Sequence, residues 1–530
     1  MKSRNRTLIS FLAASAIPFS GAATDASPVK KPNVLFIAID DLKPLLGCYD
    51  VSWIKSPAID QLAARGTLFA ANYCQVALCA PTRASLLTGL RPDSTGVYFN
   101  PFKIDNILRL RLPDAITLPQ YFKNHGYITR AMGKVFDGRT VDKGHDAVSW
   151  SEPFIAQHSI ASIGPGVRGY QDSETKRRLT EAMRNRPGTW EPGPPVECAD
   201  VPDDAYGDGA MARTAVKEIE KLAGQSQPFF LAVGFVKPHL PFIAPKKYWD
   251  LYDRDALVLA ANQKPSLGSP PEAQVVPNSG ELRDYAGVPK TGPIPDSMQH
   301  ELIHGYAACV SYIDSQVALL LDALKRSGTA ENTIVCVWGD NGWHLGEHGH
   351  WGKSTNYEDA TRVPLIIYAP GLGEGVRTSS LTEFLDVYPT LCELVGLPKP
   401  AHVDGKSLVP VMRDPSVQLH EAAISQCSTV DSQMSPLLVG GKIDENGPID
   451  SCMGWTLRTP RYRYIEWREA KLTKGEKVFG TKRLGVELYD YEKDPLERIN
   501  LADNLEYKTI LKENQELFDR LLPYLPKIEQ

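Results

Sequence analysis

Several familiar signatures are missing from this 530-residue chain. It has no block of like charges and a formal net charge of only -5, so nothing in its charge pattern asks for nucleic acid or a polybasic membrane anchor. There is no internal repeat and no low-complexity tract, which sets aside repeat arrays and disordered arms. Its nine cysteines include no CxxC pair, which removes the paired-thiol metal motifs. Beyond the first two dozen residues, no apolar run reads as a transmembrane helix. What remains, 42% hydrophobic and 23% charged, is the composition of an ordinary globular protein, long enough for a large domain and a smaller one.

The amino terminus stands apart. Lys2, Arg4 and Arg6 precede an apolar stretch from Leu8 to Phe19, followed by Gly21, Ala22 and Ala23. That order predicts a signal peptide over residues 1–23 and a secreted or periplasmic mature protein. Export permits disulfides. Cys427 and Cys452 flank a loop-rich stretch and can pair, although spacing does not fix connectivity, whereas Cys309 and Cys336 lie in apolar patterns and read as buried thiols.

Nearly unbroken apolar runs recur at Asn33 to Ile39, Phe229 to Phe235, Thr333 to Trp338 and Val363 to Tyr368, as expected of strands covered on both faces. Helical patterns separate them. Ser56-Pro57 opens one that Gly66 closes, and a longer one runs from Met298 to Ser327 and stops at Gly328. This alternation predicts an α/β domain over residues 32–400, with a large, mostly parallel sheet between helical layers. Two long insertions, residues 151–203 and 260–296, are expected to build substrate walls. From residue 401 onward, alternating stretches at Trp455 to Arg468 and Val486 to Tyr491, then an amphipathic helix from Glu506 to Leu522, predict a small C-terminal α+β subdomain.

In an open α/β sheet, ligands bind beyond the carboxyl ends of the strands. Ile39 is followed by Asp40 and Asp41, Phe235 by Val236 and then Lys237-Pro238-His239, and Trp338 by Gly339-Asp340-Asn341. One Asp after a strand is commonly a turn or cap residue. Two in succession exceed what one cap needs, and hard oxygen ligands from separate strands suit Ca²⁺ or Mg²⁺. A further segment, Cys79-Ala80-Pro81-Thr82-Arg83, predicts a helix beginning near Thr82. Cys79 then sits at a helix N-terminus, where an anion is favoured, and Arg83 faces back toward it. A low-pKa thiolate is one reading of such a cysteine, but it leaves the three aspartates without a role.

CAPTRASLLTG, with its C-x-P-x-R pattern, resembles the signature of the formylglycine-dependent sulfatases. NVLFIAIDDLKPLLGCY, MGKVFDG, FFLAVGFVKPHLPF and GDNGWHLGEHGHWGKSTNYEDATRVPLIIYAPG follow in that family's order and are most similar to its iduronate-2-sulfatase-like group. The resemblance implies an alkaline-phosphatase-like sandwich. It implies that a maturation enzyme oxidises Cys79 to formylglycine, whose diol attacks sulfur. It further implies one Ca²⁺ on Asp40, Asp41, Asp340, Asn341 and the modified Cys79, with Arg83 in support. Lys134 and Lys353 would bind sulfate, His239 would stand at the leaving oxygen, and Trp343 and His344 would line the sugar pocket. Asp137 stands where close relatives commonly carry a His; it, His125 or His145 would then serve as the second base. The implied substrate is a sulfated oligosaccharide, with 2-O-sulfate on a terminal uronic acid of a glycosaminoglycan or of an algal polysaccharide such as ulvan. A phosphonate or phosphodiester hydrolase and a non-catalytic glycan-binding protein are the competing readings.

Overall fold

The computed structural model describes residues 31–100, 106–156, 169–185, 192–275, 280–428, 449–472 and 477–528; the expected leader lies outside them. The main sheet has seven strands: β1 (Asn33–Ile39), β2 (Thr67–Phe69), β3 (Ile128–Gly133), β4 (Phe229–Phe235), β5 (Thr333–Gly339), β6 (Leu365–Tyr368) and β7 (Val376–Thr378). Their order is β7-β2-β6-β5-β1-β4-β3. Every pairing is parallel except those of β6, which runs against both β5 and β2.

The central run Asn33–Ile39 is apolar throughout because alternate side chains enter different cores. Leu35, Ile37 and Ile39 pack with residues of helices α1 (Pro57–Arg65), α3 (Gly207–Ala223) and α4 (Asp296–Arg326). Val34, Phe36 and Ala38 pack with residues of helix α2 (Cys79–Thr88) and of the helix Val387–Leu394. By length and composition α4 is apolar enough to cross a membrane, which the sequence reading did not anticipate. Here it is a core helix, and Tyr306, Ala307, Cys309 and Tyr312 are all fully buried. Val409, Val411 and Met412 belong to the second core, so that layer continues past residue 400.

The C-terminal sheet is antiparallel and follows chain order: β8 (Ala423–Ser428), β9 (Ile449–Arg458), β10 (Tyr462–Leu472) and β11 (Lys477–Asp490). A closing helix, α5 (Lys508–Leu521), sets Phe518 edge-on to Tyr464 with centroids 5.6 Å apart. Cys309 and Cys336 are fully buried thiols, as their apolar patterns predict.

This second sheet braces the segment that carries Lys353. Arg463 is fully buried, donates to Asn356 O at 2.6 Å and pairs with Glu497 at 2.7 Å. Asn356 Nδ2 donates to Gly454 O at 3.0 Å, while Ser354 N reaches back to Ala77 O at 3.0 Å.

Candidate active site

Two strand ends and one helix start meet at the carboxyl rim of the sheet. Asp40 and Asp41 follow β1, Asp340 and Asn341 follow β5, and Cys79 opens α2, so the cysteine lies inside the first helical turn rather than before it. Carboxylate oxygens of Asp40, Asp41 and Asp340 lie within 4.8 Å of one another, and so do ligand atoms of Asp40, Cys79 and His239. Cys79 Sγ is 3.4 Å from Asp40 Oδ1, and Lys353 Nζ donates to the sulfur at 3.3 Å.

Arg83 ties the cluster together. Its Nε donates to Asp340 Oδ2 at 2.8 Å, Nη2 to Asp40 Oδ1 at 3.2 Å, and Nη1 to Val135 O at 3.0 Å and to Lys134 O. The guanidinium is fully buried over the Trp338 ring. Lys134 Nζ reaches Asp40 Oδ2 at 2.5 Å, and Lys353 Nζ reaches Asp41 Oδ1 at 2.5 Å.

These contacts leave particular atoms unused. Asp41 Oδ2 and Asn341 Oδ1 are buried and have no hydrogen-bond partner. Asn341 spends its amide N–H groups on Asp41 Oδ1 (2.8 Å) and Gly342 O (2.9 Å), which turns its oxygen to the other side. Burial and the adjacent Asp40 and Asp340 push Asp41 up to about 7 in spite of Lys353. Burial also raises Asp340, with Arg83 opposing. Asp40 is desolvated too, but Lys134, His239, Arg83 and Lys353 together hold it well below the usual carboxylate range. Three crowded, buried carboxylates, with two buried oxygen acceptors unspent, are the donor set of a hard divalent cation. The residues present therefore fit Ca²⁺.

Cys79 is not prepared as a thiolate. Burial and the Asp40 carboxylate push its thiol well above the ordinary value, against Lys134 and Lys353. The thiol-hydrolase reading loses its central requirement here.

His239 sits in a turn pinned from both ends. Asp208 accepts from Val236 N (3.0 Å) and Lys237 N (2.8 Å), and the buried Lys237 ammonium donates to His239 O and to Pro241 O, the latter at 2.7 Å. His239 Nδ1 meets Leu240 O at 2.8 Å, which leaves Nε2 at 3.8 Å from Asp41 and 3.3 Å from Glu281. Burial holds the imidazole down to about 3, although Glu281 opposes this.

Of the remaining expected residues, Trp343 and His344 are placed differently from the sugar wall predicted for them. Trp343 is 1% exposed and lies beneath the Lys353 ammonium, 5.3 Å from ring centre to Nζ. His344 is fully buried and its Nε2 meets Thr355 Oγ1 at 2.8 Å. Both support the Lys353 segment, and neither offers surface to a sugar. Asp137 gives both carboxylate oxygens to Arg139, at 2.8 and 2.6 Å; despite burial, those bonds hold its carboxyl well below the usual range, so it is not poised as a base. His125 bonds Tyr121 O at the end of the helix Leu118–Asn124, and His145 stacks on Phe154 at 3.8 Å.

Sequence reasoning gave no role to Glu281, Lys237 or Lys43. Lys43 Nζ bridges Glu347 and Asp359, both at 2.8 Å, and so fastens the segment after β5 to the end of β1. Its place two residues beyond Asp41 was the available signal.

Alkaline-phosphatase-like topology with an acidic cluster, two lysines and a helix-borne position 79 at the strand ends defines a hydrolase of anionic esters. The sulfatase family model matches residues 32–397. Human iduronate 2-sulfatase is 33% identical, with 95% of this chain and 96% of the human one covered. Among solved structures, a phosphonate monoester hydrolase of Agrobacterium radiobacter superposes with a TM-score of 0.68 at 24% identity, covering 93% of this chain and 96% of that one. A 2-O GAG sulfatase gives 0.66 at 24% identity, covering 93% and 92%. The chain belongs to the sulfatase family and is a sulfuric ester hydrolase.

Proposed function

We propose that this protein is an exported exo-sulfatase that removes 2-O-sulfate from a terminal uronic acid of a sulfated glycan. Its nucleophile would be made by a maturation enzyme that converts Cys79 to formylglycine. The observation that carries the reading is the convergence of Cys79, Lys134, Lys353, His239 and the Asp40/Asp41/Asp340 cluster at one rim. The full-length likeness to an iduronate 2-sulfatase, C-terminal sheet included, supports the uronate. The leader sequence supports export.

The division of labour follows from the contacts. Lys134 and Lys353 remain charged, because Asp40 and Asp41 outweigh the burial that opposes them, and they supply compact positive charge for sulfate oxygens. Arg83 fixes the carboxylates and the carbonyl of Lys134. Position 79, at the start of α2, directs its side chain between Lys353 and Asp40. Of the two groups expected at the departing sugar oxygen, Lys353 carries a proton to give, whereas the neutral His239 ring keeps its proton on Nδ1 against Leu240 O and turns an acceptor Nε2 to the pocket. When bound at Asp40, Asp41, Asp340, Asn341 and residue 79, Ca²⁺ supplies Lewis-acid charge against the sulfate and makes the nucleophile's hydroxyl more acidic.

The test is sulfate release from 2-O-sulfated uronates, 6-O-sulfated amino sugars and a matched phosphodiester, using calcium-loaded protein with formylglycine verified by mass spectrometry. Turnover confined to the uronates is expected. Turnover of another sulfated sugar would overturn the substrate, and preference for the phosphodiester would overturn the reaction. The likeness to the phosphonate hydrolase, at 24% identity, speaks for the shared fold alone.

A further inference from the structure

The helix that presents Cys79 starts without a cap of its own. Leu78 precedes α2 and brings no capping side chain, and Pro81 has no N–H to give. The first turn is capped from elsewhere in the chain: Ala80 N donates to Oδ1 of Asn100 at 3.1 Å. The N–H groups of a helix point toward its N-terminus, so this acceptor lies beyond the end of α2 that bears position 79. Covalent geometry then keeps Asn100 Oδ1 within about 6 Å of Cys79 Cα.

The chain leading to Asn100 is firmly held. Arg91 pairs with Glu383 at 2.7 Å, and Asp93 accepts from Gln426 Nε2 of β8 (3.2 Å), Trp455 Nε1 of β9 (3.2 Å) and Tyr524 OH (2.8 Å). Tyr98 sets its ring edge-on to Phe479 of β11, with centroids 6.3 Å apart. Asn100 itself is only 8% exposed. Because its partner is a backbone N–H, the amide oxygen must be the atom in use, and Nδ2 is turned away from that N–H. Nδ2 has no hydrogen-bond partner among the described residues.

We infer that Asn100 binds substrate: its Nδ2 donates to an oxygen of the sulfate group attacked at position 79. The inference rests on position 79 as the nucleophile, and not on which sugar carries the sulfate. The nucleophile must reach sulfur, so the sulfate is the part of the substrate that comes closest to the first turn of α2. Lys134 and Lys353 meet that group as charged donors from the end of β3 and the segment after β5. A sulfate ester has more lone pairs than two ammonium groups can satisfy. A nearly buried amide with unused donors is otherwise a standing cost to the fold. The bond from Ala80 N also polarises the amide, so the helix terminus acts on the anion through Asn100.

The experiment compares the parent with N100A and N100D, all calcium-loaded and formylglycine-verified. It reads kcat/KM for a 2-O-sulfated iduronate glycoside, calorimetric affinity for inorganic sulfate, and thermal midpoint. N100D keeps an oxygen for Ala80 N but has no donor for the anion; N100A keeps neither. N100D should therefore hold the parent's thermal midpoint, whereas N100A should lose part of it with the cap. Both should lose kcat/KM roughly 10- to 100-fold, the range for a hydrogen bond to a charged group, and bind inorganic sulfate more weakly by a similar factor. A loss confined to N100A would make Asn100 a helix cap and nothing more, and sulfate affinity unchanged in either variant would leave Nδ2 without contact to the anion; either overturns the assignment. Turnover by C79A at the parent's rate would instead overturn the nucleophile reading, and the role of Asn100 with it.

Discussion

At the scale of single residues, the pocket is organised by what each charged group lacks. Asp41 Oδ2 and Asn341 Oδ1 have no hydrogen-bond partner among the described residues, and burial, with the neighbouring carboxylates, pushes Asp41 up to about 7. A cation that binds only the folded state should therefore raise the thermal midpoint of the parent as calcium is added. N341A, having lost one unspent acceptor, should need at least roughly tenfold more calcium for the same rise. An identical calcium response in both proteins would show that Asn341 is not a ligand. The aspartates were legible in the sequence because each follows an apolar strand, where an unexplained acid is conspicuous. Lys134 and Lys353 were not, since a lone lysine reads as solvated surface, and only their motif resemblance singled them out. Glu281 gave no signal of its own, because it lies in a Pro- and Gly-rich insertion away from any strand end. Trp343 and His344 were assigned to the sugar wall from their place in the motif, whereas the residues around Lys353 enclose them.

At the scale of elements, the close approach of β3 and β4 sets Lys134. Gly133 has φ +72, and a Cβ added at Gly234 would lie 2.1 Å from the carbonyl carbon and oxygen of Lys134. G234A must push that peptide away from Arg83. It should cost about 1–3 kcal/mol of stability and lower kcat, because both the lysine and the carbonyl that Arg83 holds move. Thermal unfolding and steady-state rates check this, and a variant matching the parent in both would contradict the role given to this contact. Strands β1 and β4 were readable over all seven residues and β5 over six of its seven, since burial on both faces leaves a nearly unbroken apolar run. β3 was not read as a strand, because Thr129 and Arg130 interrupt its pattern. The interruption has a purpose: Arg130 Nε pairs with Glu218 of α3 at 2.9 Å. Trp455 to Arg468 had the alternation of strands, but the reversal between β9 and β10 at residues 459–461 rests on Thr459 and Tyr462 exchanging backbone and side-chain bonds rather than on a glycine turn.

At the scale of the whole molecule, the two sheets act as one support. The C-terminal sheet holds Asn356, Glu358 and Ser354, and thereby the segment carrying Lys353, while Ile424 N of β8 donates to Glu383 at 2.7 Å in the catalytic layer. Near that seam, His420 Nε2 bonds Asp386 at 2.9 Å. Burial alone would lower the imidazole, but the Asp386 bond prevails and raises it above its ordinary value. Its stabilising share is therefore complete below the unfolded value of about 6.5 and fades as pH climbs through the raised folded value. H420N should lower the thermal midpoint in mildly acidic buffer and change it little in alkaline buffer. A deficit that grows with pH would reverse this assignment.

The most direct measurement of the central claim is sulfate release from 2-O-sulfated iduronate by calcium-loaded parent protein, with formylglycine at position 79 verified by mass spectrometry, beside C79A prepared identically. The account predicts steady turnover by the parent and none by C79A, with both proteins folded. Hydrolysis by C79A at the parent's rate would contradict it, because the nucleophile would then lie elsewhere.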